Sequence, residues 1–240
     1  MSDPTPSHPT GPATTGPATT GAASRAGSAR SESLTATTEV DFPEFRTPPG
    51  EPMELLASWL RAGETLGVRE PRALALATAD TRGRTSSRIV TLTAVTDAGL
   101  VFLTHADSRK GRELAENPWA SGVLYWRETS QQITVAGPVR RLCDAEAQAR
   151  WFARPVFTHA MSTASRQSRP LEDLGHVDRL RAEARALGEP QRPLPCPAPF
   201  AAYRLAPESV EFWADGTDRL HERLRYDRTG PGWRSSRLQP

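Results

Sequence analysis

Arg219, His221 and Arg223 alternate with Leu220, Glu222 and Leu224 near the C-terminus. Successive side chains of a strand point to opposite faces, so this spacing predicts one row of nitrogen-bearing groups on a sheet. A helix would scatter them over about 200°. Such a row suits solvent or an anionic, planar partner. A second cationic group is Ser108-Arg109-Lys110-Gly111-Arg112, where a helix is expected to begin. Three cations in a first turn oppose the helix macrodipole. An anion bound at the free N–H groups of that turn removes the conflict, and Gly111 would let a phosphate approach the backbone. Arg88 lies in a β-branched run, on the face of Val90 and Leu92, with Ile89, Thr91 and Thr93 opposite, and is placed to reach the same anion. Gln131 and Gln132 open another run and offer amide groups of the kind that read a heterocycle's edge. Gln167 and Ser168 follow Ser162–Ser165, read as an ordered loop. Taken singly, each motif also fits a solvated strand face, basic turn or loop.

Other chemistries find less support. His159 and His221 have no second ligand at metal spacing, and no nucleophile, base and orienter assemble from the sequence. No protein catalytic group and no metal are expected.

The elements that must position these residues are short. An apolar stripe of Leu55, Leu56, Trp59, Leu60 and Leu66 predicts a helix over 51–66. Runs at 73–79, 86–95 and 100–105 read as a β-meander. A helix over 108–116 with Ser108 as N-cap ends at Asn117-Pro118. Residues 119–126 and 131–139 read as a hairpin, and Asp144 is expected to cap a helix through Ala153. A third helix, 171–187, is expected to bury Leu171, Leu174, Val177, Leu180, Ala184 and Leu187. Strands follow at about 200–206, 208–214, 219–228 and 232–238. Many short strands interleaved with helices, without βαβ order, predict a mainly β fold with helices, an antiparallel barrel.

Composition sets the surroundings. Residues 1–40 contain no aromatic residue and repeat GPATT at 11–15 and 16–20, so a disordered tail before a domain at 41–240 is expected. Net charge is +2, which gives no global basic field for nucleic acid. No run approaches the ~20 apolar residues of a membrane span. With Cys143 and Cys196 forming no disulfide framework, a cytoplasmic location is expected. Lys110 is the one Lys among 30 basic residues.

In order and spacing these motifs resemble the pyridoxamine 5'-phosphate oxidase family from about residue 60 to 240. The resemblance implies an FMN-binding split β-barrel that works as a homodimer, with the flavin site at the subunit interface. It implies cofactor contacts from Arg88, Thr104, Ser108, Arg109, Lys110, Gln132, Gln167, Ser168, Trp213 and Arg223, with Thr93 counted beside them. Arg154, Arg219 and His221 are implied on the substrate side, with Arg150 and Thr158. The chain also departs from the family. The phosphate-binding Lys, Tyr and Ser of the vitamer oxidases correspond here to Thr93, Arg150 and Thr158. Thr93 supplies no cation for a dianionic phosphate. Residues 119–132, 165–168 and 220–228 are more similar to the FMN-dependent oxidases of phenazine biosynthesis. That branch implies a partly reduced phenazine carboxylate as substrate, hydride transfer to flavin N5, and reoxidation by O₂ with release of H₂O₂. A pyridoxine or pyridoxamine phosphate oxidase and a flavin reductase are the alternatives.

Overall fold

The computed structural model describes residues 36–216 and 220–240. Helix α1 (Pro52–Thr65) opens with a proline, whose missing N–H is one a helix start leaves unpaired in any case. It buries Leu55, Leu56, Trp59 and Leu60. Leu66 follows the helix and stays exposed. The meander is β1 (Ala73–Ala79), β2 (Thr85–Thr96) and β3 (Gly99–His105), antiparallel throughout. Helix α2 (Arg109–Glu116) leads to the hairpin of β4 (Trp119–Trp126) and β5 (Gln131–Arg141). Helices α3 (Asp144–Phe152), α4 (His159–Ala164) and α5 (Leu174–Gly188) precede β6 (Phe200–Leu205), β7 (Ser209–Ala214), β8 (Glu222–Thr229) and β9 (Gly232–Leu238).

The strands pair in the order β4-β1-β2-β3-β6-β5, and β4 pairs with β5 as well, so six strands close an antiparallel barrel. β5 belongs to two systems. Gln131–Ala136 pairs with β7, and Val139–Arg141 pairs with β6. Between them, a Cβ on Gly137 would stand 2.2 Å from the Ala206 carbonyl oxygen, so only glycine fits where the sheet divides. Beyond β7, strands β8 and β9 extend the sheet past the barrel.

Alternation along the strands fills the barrel. Leu74, Leu76, Leu92, Phe102, Leu124, Ile133 and Phe212 are fully buried, and Trp59 of α1 meets Phe212 edge-on at 5.2 Å. Burying each such side chain is worth about 1.5–3 kcal/mol. The opposite face of β3 and β6 carries a smaller core, in which Val101, Phe200 and Ala202 pack against Leu142, Ala147 and Trp151.

Four expectations need correction. Cys143, not Asp144, is the N-cap of α3, where the Glu146 carboxylate accepts from the Cys143 backbone N–H. Ser162–Ala164 belong to helix α4 rather than to a loop, since one short turn of small residues shows no apolar period. Leu171 precedes α5, and both it and Leu174 are exposed; only Ala184 of that helix is buried. Strand β8 begins at Glu222, so His221 and Arg223 do not share one strand, and Arg219 lies outside the described residues.

The expected tail lies outside the described residues up to residue 35. Its final residues are tied down, since the N–H groups of Thr37 and Thr38 both donate to Glu128 O at 2.9 Å. Arg237 donates to the carbonyls of Phe45 (2.6 Å) and Arg46 (2.8 Å), and Tyr226 to that of Pro49, which secures the entry segment to β8 and β9. No helix among the described residues is long and apolar enough to cross a membrane.

Candidate active site

At one end of the barrel, the inward faces of β1 and β2 turn from apolar to polar. Leu76 stands opposite Arg88 and Thr78 opposite Ser86. Helix α2 covers this end and places Glu113 among them, with its side chain 7% exposed. Its carboxylate accepts from Thr78, from Ser86 at 2.7 Å and from Arg109 Nε at 2.8 Å, with Arg88 Nη2 at 3.4 Å. Burial pushes the Glu113 pKa up, but the hydrogen bonds from Thr78, Ser86 and Arg109 outweigh it and bring it down to about 2. Arg88 also donates to Thr78 Oγ1 (2.6 Å), Ser86 Oγ and the Leu76 carbonyl. Arg88 and Arg109 are thus both balanced by one carboxylate. Glu113 lies four residues after Arg109, a helical ion-pair spacing that reveals part of this network in the sequence. Its partners on β1 and β2 leave no such signal.

Ser108 caps α2 as expected, accepting from Gly111 N–H at 3.3 Å. Gly111 also meets a packing requirement. A Cβ there would lie 2.3 Å from Ala106 O and 2.6 Å from His105 O, so the glycine lets the helix close onto its own preceding turn. Gly111→Ala is expected to lower stability by about 1–3 kcal/mol, read from the urea midpoint.

Lys110 points the other way. Its Nζ donates to Thr104 Oγ1 (3.0 Å) and Ser108 Oγ (3.4 Å), and no carboxylate among the described residues lies within ion-pair distance. Burial, then the nearby Arg88, depresses its pKa. Thr104 Oγ1 in turn donates to Gln167 Oε1 at 2.9 Å, which also receives the His105 N–H. Ser168, next to this glutamine, is exposed and left-handed (φ 63°).

A cavity of about 480 Å³ collects much of the expected set: Thr93, Thr104, Lys110 and Gln167 from the cofactor group, with Arg154 and Thr158 from the substrate group. Arg154 lies over the rings of Trp151 (5.1 Å) and Phe200 (5.5 Å) and donates to Ser162 Oγ at 3.1 Å. It too has no carboxylate within ion-pair distance among the described residues, and burial depresses its pKa. His105 also lines this cavity, and nothing in its spacing drew attention to it.

The remaining expected residues stand elsewhere. The outer faces of four strands carry Tyr125, Gln132, Trp213 and Arg223 as successive cross-strand neighbours. Arg223 Nε donates to Glu211 at 2.7 Å. His221 precedes β8, with its ring 4.8 Å from Trp213 and Nδ1 3.1 Å from Asp215 Oδ1, within ion-pair distance. None of these residues lines the 480 Å³ cavity, and neither does Arg150 on α3. Arg219 lies outside the described residues.

Residues 64–214 match the sequence model of the pyridoxamine 5'-phosphate oxidase family. The chain belongs to this family. Residues 200–240 match a further model, the C-terminal dimerisation region of pyridoxine 5'-phosphate oxidase. The family's relatives divide by similarity. The dihydrophenazinedicarboxylate synthase of Pseudomonas chlororaphis is 55% identical, over 88% of this chain and 93% of its own. The pyridoxine/pyridoxamine 5'-phosphate oxidase of Gluconobacter oxydans is 39% identical, over 79% and 94%. In fold, the chain is similar to the crystal structure of PhzG from Burkholderia lata 383 in complex with tetrahydrophenazine-1-carboxylic acid. The TM-score is 0.80 and the identity 51%, over 84% of this chain and 98% of that one. The barrel expected from the sequence is the family's split barrel.

Proposed function

We propose that this protein is an FMN-dependent oxidase that dehydrogenates a partly reduced phenazine carboxylate during phenazine biosynthesis, using O₂ as acceptor. One observation carries the reading: Lys110 and Arg154 line a single cavity, and neither has a carboxylate partner among the described residues. Two uncompensated cations in one cavity suit two anionic groups, one on the cofactor and one on the substrate.

The residues present fit FMN. Lys110 stands beside the N-terminal turn of α2, where backbone N–H groups and the macrodipole favour a phosphate. Thr104, Ser108 and Gln167 form the polar wall next to it. Arg88 and Arg109 add positive potential from behind, held in place by Glu113. When bound, FMN supplies the two-electron acceptor, which O₂ returns to the oxidised form with release of H₂O₂. The protein's part is to bind, orient and exclude water. Arg154, backed by two aromatic rings, presents its guanidinium to a carboxylate. The titratable residues lining the cavity are His105, Lys110 and Arg154, so no carboxylate base stands in its wall. Proton loss is then driven by aromatisation of the substrate.

Gln132, Trp213, Arg223 and His221 enter the reading through a second subunit. The outer face of β1, β2 and β4 pairs Ala75 with Val123 and Ile89, and Ala77 with Ser121 and Ser87. Ile89, Trp119 and Tyr125 are exposed around it. In this reading a homodimer covers this face and pairs one protomer's Gln132–Trp213–Arg223 row with its partner's Lys110 cavity. The match of residues 200–240 to a dimerisation region supports this arrangement. The protein is expected to elute at twice its monomer mass in light-scattering chromatography; elution as a monomer would sink the shared site.

The functional test offers FMN-loaded protein a reduced phenazine carboxylate and, separately, pyridoxamine 5'-phosphate, with oxygen uptake recorded. Turnover of the phenazine is expected. Fast turnover of the vitamer alone would return the protein to vitamin metabolism, a reading that Thr93 and the placement of Arg150 outside the cavity argue against. Flavin reduction by NADH alone would make it a reductase.

A further inference from the structure

Strand β7 ends at Ala214, and the chain turns back on itself at once. A Cβ on Gly216 would collide with the Leu220 carbonyl oxygen, so the glycine lets residue 220 fold over the strand end. This turn returns His221 to Asp215. Asp215 itself is fixed, because its N–H donates to Ser130 O at 3.1 Å. Its Oδ1 stands 3.1 Å from His221 Nδ1, and the Trp213 ring supports the imidazole at 4.8 Å. Nδ1 is buried and makes no aligned hydrogen bond among the described residues, so the Asp215 carboxylate is the acceptor at hand. A bare Nδ1 would set two lone pairs against each other. The proton of the neutral ring therefore belongs on Nδ1, where the carboxylate stabilises it. The side chain is still 20% exposed, which leaves Nε2, on the far side of the ring, as the nitrogen that a ligand meets. With the proton on Nδ1, Nε2 presents a lone pair and accepts a hydrogen bond.

The surroundings suit an acceptor. His221 lines a cavity of about 420 Å³ whose other ionisable lining residues are Glu39, Asp41, Arg46, Asp215 and Glu222. Four carboxylates against one guanidinium make a wall that repels a substrate carboxylate and favours an N–H donor. A reduced phenazine has such a donor. Where reduction places a hydrogen on a ring nitrogen, that nitrogen donates; in the aromatic ring it carries a lone pair and only accepts.

We propose that Asp215 is a positioning residue that holds His221 as the Nδ1–H tautomer, so that Nε2 accepts the ring N–H of the reduced substrate and disfavours the aromatised form. This assignment rests on the phenazine reading and its homodimer above, in which Arg154 of one protomer takes the carboxylate and His221 of the other takes the ring nitrogen.

Nitrogen NMR of histidine-labelled, FMN-loaded protein reads the tautomer directly, at about pH 9, well above the ordinary imidazole range. The His221 signals are those that vanish in His221→Gln. Wild type is expected as the Nδ1–H form, and Asp215→Ala should move toward Nε2–H. Affinity is then measured by anaerobic equilibrium dialysis with two probes. Dihydrophenazine-1-carboxylate, carrying hydrogen on both ring nitrogens, is offered to dithionite-reduced protein, where no turnover occurs; phenazine-1-carboxylate is offered to oxidised protein. Asp215→Ala should weaken the reduced probe about tenfold, the loss of one hydrogen bond, and leave the aromatic one within about twofold. Should Asp215→Ala not fold, the wild-type tautomer carries the test alone, because an Nε2–H ring cannot accept the substrate N–H. An Nε2–H ring in wild type, an unchanged tautomer or an unchanged affinity for the reduced probe in Asp215→Ala, or equal loss of both probes overturns the role of Asp215 and leaves the functional reading standing. Failure of wild type to bind either probe overturns the functional reading, and the assignment with it.

Discussion

Glu113→Ala is expected to lower folding stability by about 3–5 kcal/mol, the range for removing one partner of a buried ion pair. The variant leaves the Arg88 guanidinium, 19% exposed, without its carboxylate, and strips Thr78 and Ser86 of their acceptor. Burial already depresses the Arg88 pKa more than Glu113 raises it, so the remaining charge has little to offset its desolvation. Urea unfolding of FMN-free protein measures the loss. A change under about 1 kcal/mol would show that solvent, not Glu113, balances the two arginines. The same carboxylate gives a pH signature. Its pKa falls from 4.5 to about 2 on folding, so its contribution is fully present above about pH 4.5 and is lost as pH falls toward 2. Across that window the wild type should lose roughly 3 kcal/mol that Glu113→Gln does not.

Lys110→Ala acts on binding instead. It should raise the FMN dissociation constant about 10- to 100-fold, because it removes a charge-assisted phosphate contact worth roughly 1.5–3 kcal/mol. Fold and stability should change little, since Lys110 makes no ion pair among the described residues and its partners are two hydroxyls. Quenching of FMN fluorescence by the apoprotein reads the constant directly. An unchanged value would move the phosphate away from α2. Lys110→Arg should not fully restore affinity, because a planar fork cannot occupy the place of a compact ammonium between Thr104 and Ser108.

The sequence and the structure differ in an orderly way. The Ser108 cap, the inward face of β2 with Arg88, Val90 and Leu92, and the hairpin of β4 and β5 were all legible because each follows from spacing within a few residues. The His221–Arg223 part of the expected row failed for the same reason it looked persuasive. Alternation predicts a shared face only if the strand exists, and β8 begins at Glu222, after the segment that carries His221 toward Asp215 and Trp213. The outer stripe on α5 misled similarly: helical period was present, but only Ala184 found a core to enter.

By itself the sequence determined the element order, the family, and the identity of the cations that a phosphate and a carboxylate would meet. Local rules suffice for that, since caps, periodicity and motif order are one-dimensional. Only the tertiary structure decided how the charges are balanced. It set Glu113 against residues 27 and 35 positions earlier, and left Lys110 and Arg154 in one cavity with no carboxylate partner among the described residues. Charge balance and hydrogen-bond satisfaction are properties of neighbours in space. The closing of the barrel, with α2 and α4 laid against it, chooses those neighbours.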